Sequence, residues 1–300
     1  MSATTDASAR NDEPAAFHTT AAARGPLALI GEAARDVWSR RRLVRYLVGA
    51  EMKKRGVNTL LGNVWWVLDP LLLMVVYVVL VTVISRRPVP DYPLFIFAAI
   101  LPWKWFTAAV TDSTTSVVNQ QRLIKQIAFP KIVLPIAATT SGVIGFAFGL
   151  IPLGLIMLFY ADRISPFLLF IPAIALVQYV FTVGFSILVA AGNVFFRDLG
   201  NVVRHLLRIW FYLSPGLYSL SHLDAIGLVQ EHPILKTLAS ANPFAVLFEA
   251  YRNVIYGTEQ HGPMGPDWLS LFLLLVASTL FLALAGMIFK RLEPNFAKVL

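Results

Sequence analysis

The residue types that most often carry catalysis or bind metals are sparse in this sequence and form no constellation. Three histidines, His222, His232 and His261, share one connection between apolar segments, but their spacing matches no helical metal site. Cysteine is absent, which excludes a disulfide framework. We expect the histidines to be solvated loop residues, and we predict a chain without a metal centre or catalytic residues.

The phosphate-binding pattern GxxxxGK[ST] is also absent, and no glycine is followed by lysine. If the protein performs work driven by ATP, a different polypeptide must bind and hydrolyse the ATP together with Mg²⁺. We therefore predict no cofactor in this chain.

The composition points to lipid as the main surroundings. Of 300 residues, 57% are hydrophobic and only 14% are charged, whereas a soluble domain carries about 25% charged residues. The stretches 132–161, 165–196 and 268–289 contain no charged residue, and each is longer than the roughly 20 residues that cross a bilayer as a helix. Basic residues beside these stretches account for the net charge of +8 and favour anionic lipid, not nucleic acid, as a partner.

The order of apolar segments predicts an all-α polytopic membrane protein with six transmembrane helices. The expected spans are Trp65 to before Arg86, Tyr92 to Val118, 132–160, 167–192, a weak fifth span ending near Leu220, and a sixth ending at Lys290. Within the first, Asp69 before Pro70 is expected to be a helix N-cap. In the third, Ser141, Gly145 and Gly149 form a small-residue stripe that lets another helix pack closely.

The flanking segments have their own patterns. Residues 1–26 are rich in Ala, Thr, Pro and Asp and are expected to form a disordered cytoplasmic tail. Residues 27–64 are predicted to contain an amphipathic interfacial helix from Leu27 to Val48 and to lead into the six-helix domain of residues 65–300.

The distribution of basic residues predicts the orientation in the membrane. The stretches predicted to lie on the inner side of the membrane hold 13 Lys and Arg residues, against 5 in the stretches on the outer side, so both termini are predicted to be cytoplasmic. The chain has no internal repeat, which favours a pathway formed by homodimerisation.

One acidic residue, Asp112, lies inside the second span among threonines and serines. A carboxylate at membrane depth is costly, so it faces a protein interior or a wet pathway. We prefer a helix-packing hydrogen bond, or a position near the interface, over a role in a pathway.

Several short motifs, standing in order between Lys54 and Lys290, resemble those of ABC-transporter permeases that export polysaccharides such as O-antigen and teichoic acid. They are the run Lys54–Pro70 with its Trp65–Trp66 pair, Pro102–Trp103 with Phe106, Asn119, Leu123, Lys125, Phe129–Pro130, Leu134–Pro135, Phe196–Arg197–Asp198, Ser214–Pro215 with Tyr218, Asn242–Pro243–Phe244, and Tyr251–Arg252. The sequence departs from the family pattern at Asn58–Thr59, where a single serine is usual, and at Val57.

The resemblance implies a site for coupling to a separate ATPase. From its residues alone, the 119–131 stretch is predicted to form a short helix that Pro130 stops, with an apolar face of Leu123, Ile124, Ile127 and Ala128. Such a face suits a lipid surface or a protein groove equally. Arg197–Asp198 is interpreted as an interfacial ion pair or a helix start. The family likeness favours ATPase contact for both. The implied coupling residues are Asn119, Arg122, Leu123, Lys125, Phe129, Pro130, Arg197 and Asp198.

Aromatic side chains are the other implied functional group. Trp103, Trp105 and Phe106 lie near the outer end of the second span, where interfacial anchoring is the base expectation. Aromatic side chains also stack on sugar rings and would suit the lining of a polysaccharide channel or gate; the candidates for that role are Trp103, Trp105, Phe106, Tyr212, Tyr218, Phe244 and Tyr251. The connection 221–267 forms either a surface cap or a re-entrant pair of short helices, and the resemblance implies that it is a re-entrant outer gate between helices 5 and 6.

The expected function is that of a permease subunit in the inner membrane, exporting a lipid-linked polysaccharide (O-antigen, teichoic acid or cell-wall galactan) as a homodimer with two copies of a cytoplasmic ATPase. One alternative is a drug or small-lipid exporter of the same broad fold. Another is a membrane-embedded enzyme of polyprenyl-linked sugars, which would need an acidic cluster or a basic pyrophosphate site at the membrane face.

Overall fold

The computed structural model describes residues 25–56, 61–85, 90–218, 234, 239–240, 242–258 and 261–300, and in these ranges the chain is helical with no strand. Most of the predicted tail and much of the 221–267 connection lie outside the described residues. The described residues form ten principal helices: α1 Pro26–Ser39, α2 Arg41–Gly56, α3 Trp65–Ser85, α4 Tyr92–Asn119, α5 Gln121–Gln126, α6 Val133–Met157, α7 Ile171–Phe195, α8 Leu199–Leu213, α9 Pro243–Ile255 and α10 Trp268–Val299.

Five helices of the described chain are long and apolar enough to cross a membrane, and they are α3, α4, α6, α7 with its preceding turn, and α10. They match five of the six predicted spans, so the protein is a multi-pass membrane protein. The region of the weak fifth span contains α8, which has 15 residues, fewer than the ~20 that a crossing needs. The sixth crossing and the re-entrant gate stay predictions.

The predicted interfacial helix is divided in two. The chain turns at Arg40, where α1 ends and α2 begins. Leu29 and Ala33 of α1 are buried, and Ala33 lies close to Gly286 of α10, whereas α2 packs against α6. One continuous helix cannot follow both contacts, which accounts for the break. Its location at a membrane surface stays a prediction.

Helix α4 is the most deeply buried span and contacts α3, α6, α7, α8 and α9. Much of this contact is aromatic: the Phe244 ring of α9 lies 4.7 Å from Trp103 and 4.6 Å from Phe106, and Trp210 of α8 lies 5.6 Å from Phe106. We call these four residues the aromatic core. Ring packing of this kind adds to the stability that burial alone provides.

A buried ion network joins the two ends of the chain. The Lys290 ammonium of α10 lies 2.7 Å from Asp36 and 3.2 Å from Glu32, both on α1, and 2.7 Å from Glu293. The other Glu293 oxygen accepts a hydrogen bond from the backbone N–H of Lys131, just before α6. One lysine therefore links α1, α10 and the α5–α6 connection.

Two buried arginines organise the opposite end of the bundle. Arg163 lies 3.0 Å from Asp91 before α4 and donates to the carbonyls of Tyr256 and Thr258 after α9. Arg252 of α9 donates to the carbonyls of residues 215, 216 and 218, and its guanidinium lies 3.8 Å above the Phe95 ring. These contacts satisfy backbone oxygens in connections that form no regular structure.

Asp267 caps the last span by accepting hydrogen bonds from the backbone N–H groups of Leu269 and Ser270. The Ser270 hydroxyl donates to the same carboxylate. Together these bonds lower the pKa of Asp267, because they stabilise its charged form.

Replacement of Lys290 should destabilise the fold strongly, because Glu293 and Asp36 would lose their shared cation. We expect Lys290→Met to cost about 3 kcal/mol, measured by denaturant unfolding in detergent micelles. The control Lys298→Met removes an exposed lysine of the same helix and should cost less than about 0.5 kcal/mol. Equal losses would contradict a central role for the network.

Gly184 permits the close approach of α7 and α10. A Cβ at this position would lie 2.9 Å from a Phe281 ring carbon and 3.1 Å from the Leu282 Cα, whereas a Cβ at Gly154 would meet nothing within 4 Å. Both glycines are helical, so substitution by leucine improves helix propensity equally. We expect Gly184→Leu to be less stable than Gly154→Leu by about 1–3 kcal/mol, measured in the same way; equal stabilities would show that α7 and α10 separate without cost.

Candidate functional site

The 119–131 segment connects the end of α4 to the start of α6. Its helix, α5, ends at Gln126 and Ile127 is extended, so the helix stops three residues earlier than the Pro130 stop that the sequence predicts. Ile124 is buried in the protomer, whereas Ile127 is 54% exposed. The predicted apolar face is therefore divided: one part anchors the segment, and the other is open to a partner.

The predicted coupling residues differ in exposure. Asn119, Arg122 and Lys125 are exposed, and Leu123, Phe129 and Pro130 are half-buried. The Glu293 contact with the Lys131 N–H fixes the end of the segment to α10. The segment is therefore attached to three helices, namely α4, α6 and α10.

Arg197 and Asp198 are exposed in the turn between α7 and α8. Asp198 occupies the N-cap position of α8, as the helix-start interpretation predicts, but its side chain makes no capping hydrogen bond. A Cβ at Gly200 would lie 3.7 Å from Thr114 of α4. The turn therefore lies at the same end of the bundle as the 119–131 segment.

Most aromatic candidates for the channel are buried inside the protomer. Tyr212 of α8 is 54% exposed and Tyr218 is half-buried, whereas the other five are at most 5% exposed: Trp103, Trp105, Phe106, Phe244 and Tyr251. In the protomer these five pack helices together. Their contact with a substrate stays a prediction.

The predicted small-residue stripe on α6 lies against two other spans. Ser141 is buried and donates to the carbonyl of Ala138. A Cβ at Gly149 would clash with a methyl group of Leu101 in α4, and a Cβ at Gly145 would lie 3.9 Å from the Trp66 ring of α3. Close to this stripe the three helices enclose a cleft.

The cleft has a volume of about 420 Å³ and is open on one side. Its polar side chains are Asp69 of α3 and Lys104, Thr107, Thr111 and Asp112 of α4, and its aromatic side chains are Trp65, Trp66, Trp105 and Phe146. A second cavity of about 80 Å³ shares Asp112 and continues to Asn119 at the end of α4. Asp112 thus lines both cavities, and the smaller one lies beside the end of α4.

Asp69 forms an ion pair with Lys104. The expectation that Asp69 caps a helix is wrong: α3 begins at Trp65 after the tight turn Gly62–Val64, and Pro70 lies inside it. The sequence singled out Asp112 but not Lys104, although lysine within an apolar span is itself a signal of a partner. Only the packing of α3 on α4 identifies that partner.

These features define a polytopic, all-α membrane protein with an exposed segment at one end of the bundle and a polar cleft in its apolar wall. The chain matches no protein-family model. It is 32% identical over 265 residues to the O-antigen export system permease protein RfbA of Myxococcus xanthus, covering 88% of this chain and 97% of that protein. Two proteins of the same name from Klebsiella pneumoniae are 28% and 29% identical, each covering 86% of this chain and 95% of the relative. The chain belongs to the family of O-antigen export system permeases.

The Asp69–Lys104 pair should contribute to stability in the apolar wall. We expect a double-mutant cycle of Asp69→Asn and Lys104→Met to give a coupling free energy of about 1 kcal/mol, measured by unfolding in lipid nanodiscs. The same cycle with Lys125→Met, at an exposed lysine of α5, should be additive within about 0.5 kcal/mol. Additivity in both cycles would contradict the pairing.

Proposed function

We propose that this chain is the membrane subunit of an ATP-driven exporter that moves a lipid-linked polysaccharide across the inner membrane. The observation that carries the proposal is the likeness to O-antigen export permeases over 86–88% of the chain. The five apolar spans supply a membrane body, and the exposed residues of the 119–131 segment supply a surface for a partner. Transport by conformational change, with the energy supplied from outside the chain, suits these features.

The energy would come from a separate ATPase that binds ATP and Mg²⁺, with two copies acting on a homodimer of this chain. Three features of the 119–131 segment support it as the contact: the exposed cations Arg122 and Lys125, the exposed apolar Ile127, and the anchor provided by Glu293. Arg197 and Asp198 at the same end would extend the surface. In this arrangement both termini lie on the cytoplasmic side.

Motion of the segment would reach the substrate pathway through α4. Asn119 is the last residue of α4, whose other end carries Trp103 and Phe106 of the aromatic core. Because α4 is packed on nearly all sides, a displacement at one end must be shared with α8 and α9. Tyr212, exposed on α8, is the candidate in best position to line a pathway between two protomers.

Depletion of this chain in the organism that encodes it should leave lipid-linked glycan on the cytoplasmic side and remove the glycan from the cell surface. The measurement is glycan labelling of intact cells against extracted lipid. Unchanged surface glycan and unchanged lipid-linked glycan in depleted cells would refute polysaccharide export.

The coupling surface can be tested with two matched isoleucines. Ile127 is 54% exposed at the proposed ATPase surface, and Ile164 is 51% exposed at the opposite end of the bundle. We expect Ile127→Glu to abolish co-purification of the ATPase and to stop export, because a charge replaces an apolar contact. Ile164→Glu should retain both. Retention of the ATPase by Ile127→Glu, or equal loss in both variants, would place the contact elsewhere.

A further inference from the structure

Helix α8 carries basic side chains deep in the bundle. It begins beside Thr114 of α4, since a Cβ at Gly200 would lie 3.7 Å from that side chain, and its Trp210 ring lies 5.6 Å from the Phe106 ring of α4. The helix therefore runs antiparallel to α4, from the end that holds the coupling segment to the aromatic core. Arg208 precedes Trp210 by two residues and lies about 15 Å along the helix from its N-cap residue.

The side chains of α8 form three faces. The buried face, which packs into the bundle, consists of Val203, Leu207 and Phe211. The second face is apolar and exposed, and its members are Val202, Leu206, Ile209 and Leu213. The third face is polar and exposed, and its members are Asn201, Arg204, Arg208 and Tyr212. We call these last four residues the polar stripe, because their spacing of three or four residues places them in one row.

The two arginines of the polar stripe are open to a ligand. Both side chains are exposed, and Arg204 donates a hydrogen bond to Asn201 of its own helix. Within the described part of the chain, neither Arg204 nor Arg208 forms an ion pair with a carboxylate. A charged side chain at membrane depth is costly unless it faces a partner or a wet pathway, so the stripe marks a polar pathway along α8.

Phosphate is the anion that this arrangement fits. A guanidinium group binds phosphate oxygens through two parallel hydrogen bonds. Side chains four residues apart on a helix are neighbours, with their Cβ atoms about 6 Å apart, so Arg204 and Arg208 can hold one phosphate or pyrophosphate between them. His205, also exposed, offers a further donor beside Arg204. Tyr212, one turn beyond Arg208, presents a hydroxyl and a ring face to an adjoining sugar.

The depth of Arg208 favours a transported lipid over a resident phospholipid. Phosphates of resident phospholipids lie in the headgroup region, outside the hydrocarbon core of about 30 Å. Arg208 lies beside the aromatic core, whose Phe106 is near the middle of α4, about 20 Å from either end of that helix. A phosphate reaches this level when it is moved through the protein.

We propose that the polar stripe of α8 binds the phosphate or pyrophosphate group of the transported lipid, with Arg204 and Arg208 as its ligands. This inference rests on the proposed function and names the part of the lipid-linked polysaccharide that the chain recognises. Arg204 lies nearer to the coupling end of the bundle and meets the anion first. Arg208 then holds it at the level of the aromatic core, where Tyr212 contacts the attached sugar.

The test uses the full chain in phosphatidylcholine nanodiscs, with tritiated farnesyl pyrophosphate as the probe. Binding should be saturable, and unlabelled farnesol, which has the same tail without the anion, should not displace the probe. Arg208→Gln removes one charge and keeps the length of the side chain. It should weaken binding of the probe about tenfold, because charge-assisted hydrogen bonds are lost.

A matched variant, Arg291→Gln, makes the same substitution at an exposed arginine near the end of α10. It should bind the probe as the wild type does. Arg208→Lys keeps the charge but loses the paired donors of the guanidinium group, so it should show an intermediate loss. Unfolding midpoints of all three variants in the same nanodiscs separate binding from folding.

A second lipid composition distinguishes the two sources of phosphate. Phosphatidylglycerol in place of part of the phosphatidylcholine makes the membrane anionic and repels the probe from every variant alike. The ratio of affinities between the wild type and Arg208→Gln should therefore stay unchanged. A ratio that falls to one would show that a phospholipid headgroup occupies the stripe.

Equal binding by Arg208→Gln and Arg291→Gln, displacement of the probe by farnesol, or that loss of the affinity ratio would each overturn the proposal. Release of inorganic phosphate from the bound probe would overturn it in favour of an enzyme. A lower number of chains per nanodisc in Arg208→Gln would overturn it in favour of contact with a second copy of the chain.

These measurements require neither ATPase nor transport, so the site and the function fail separately. Failure of the probe to bind while depletion still traps lipid-linked glycan would overturn the α8 site alone. Binding that depends on Arg208 together with unchanged glycan in depleted cells would overturn polysaccharide export alone.

Discussion

The burial of α4 is the constraint around which the protomer is organised. A helix in hydrocarbon gains little by exchanging lipid for apolar neighbours, so close packing must supply the stability. Helix α4 meets this need with α6, where Leu101 fills the space above Gly149, and with α9, where Phe244 packs between Trp103 and Phe106. Helix α3, in contrast, exposes most of its side chains and leaves the cleft beside it.

Charge is placed where this packing ends. At one end Lys290 joins α1 and α10 to the α5–α6 connection through Glu293, and at the other Arg163 and Arg252 gather backbone carbonyls of irregular segments. Buried ions are costly unless they are fully paired, so such contacts specify geometry more than they add stability. They connect the helices and irregular segments that meet at each end of the bundle.

The cleft is the exception to this arrangement, because Lys104, Asp69 and Asp112 lie along the spans and not at their ends. The ion pair between Asp69 and Lys104 lowers the cost of placing these two charges in an apolar wall. The cleft thus differs from the proposed coupling surface, where cations and an apolar side chain are exposed together.

The sequence by itself determined the membrane class, five of the spans and the family motifs, since hydrophobic length and motif order are properties of the chain alone. It also located α5, although not its end, and it marked Asp112 as unusual. Tertiary structure decided which aromatic candidates are buried, that Asp69 pairs with Lys104, and that Lys290 joins both ends of the chain. The physical reason is that Trp103 or Lys104 has the same local pattern whether it faces lipid, a cavity or another helix, and only the packing of distant helices distinguishes these surroundings.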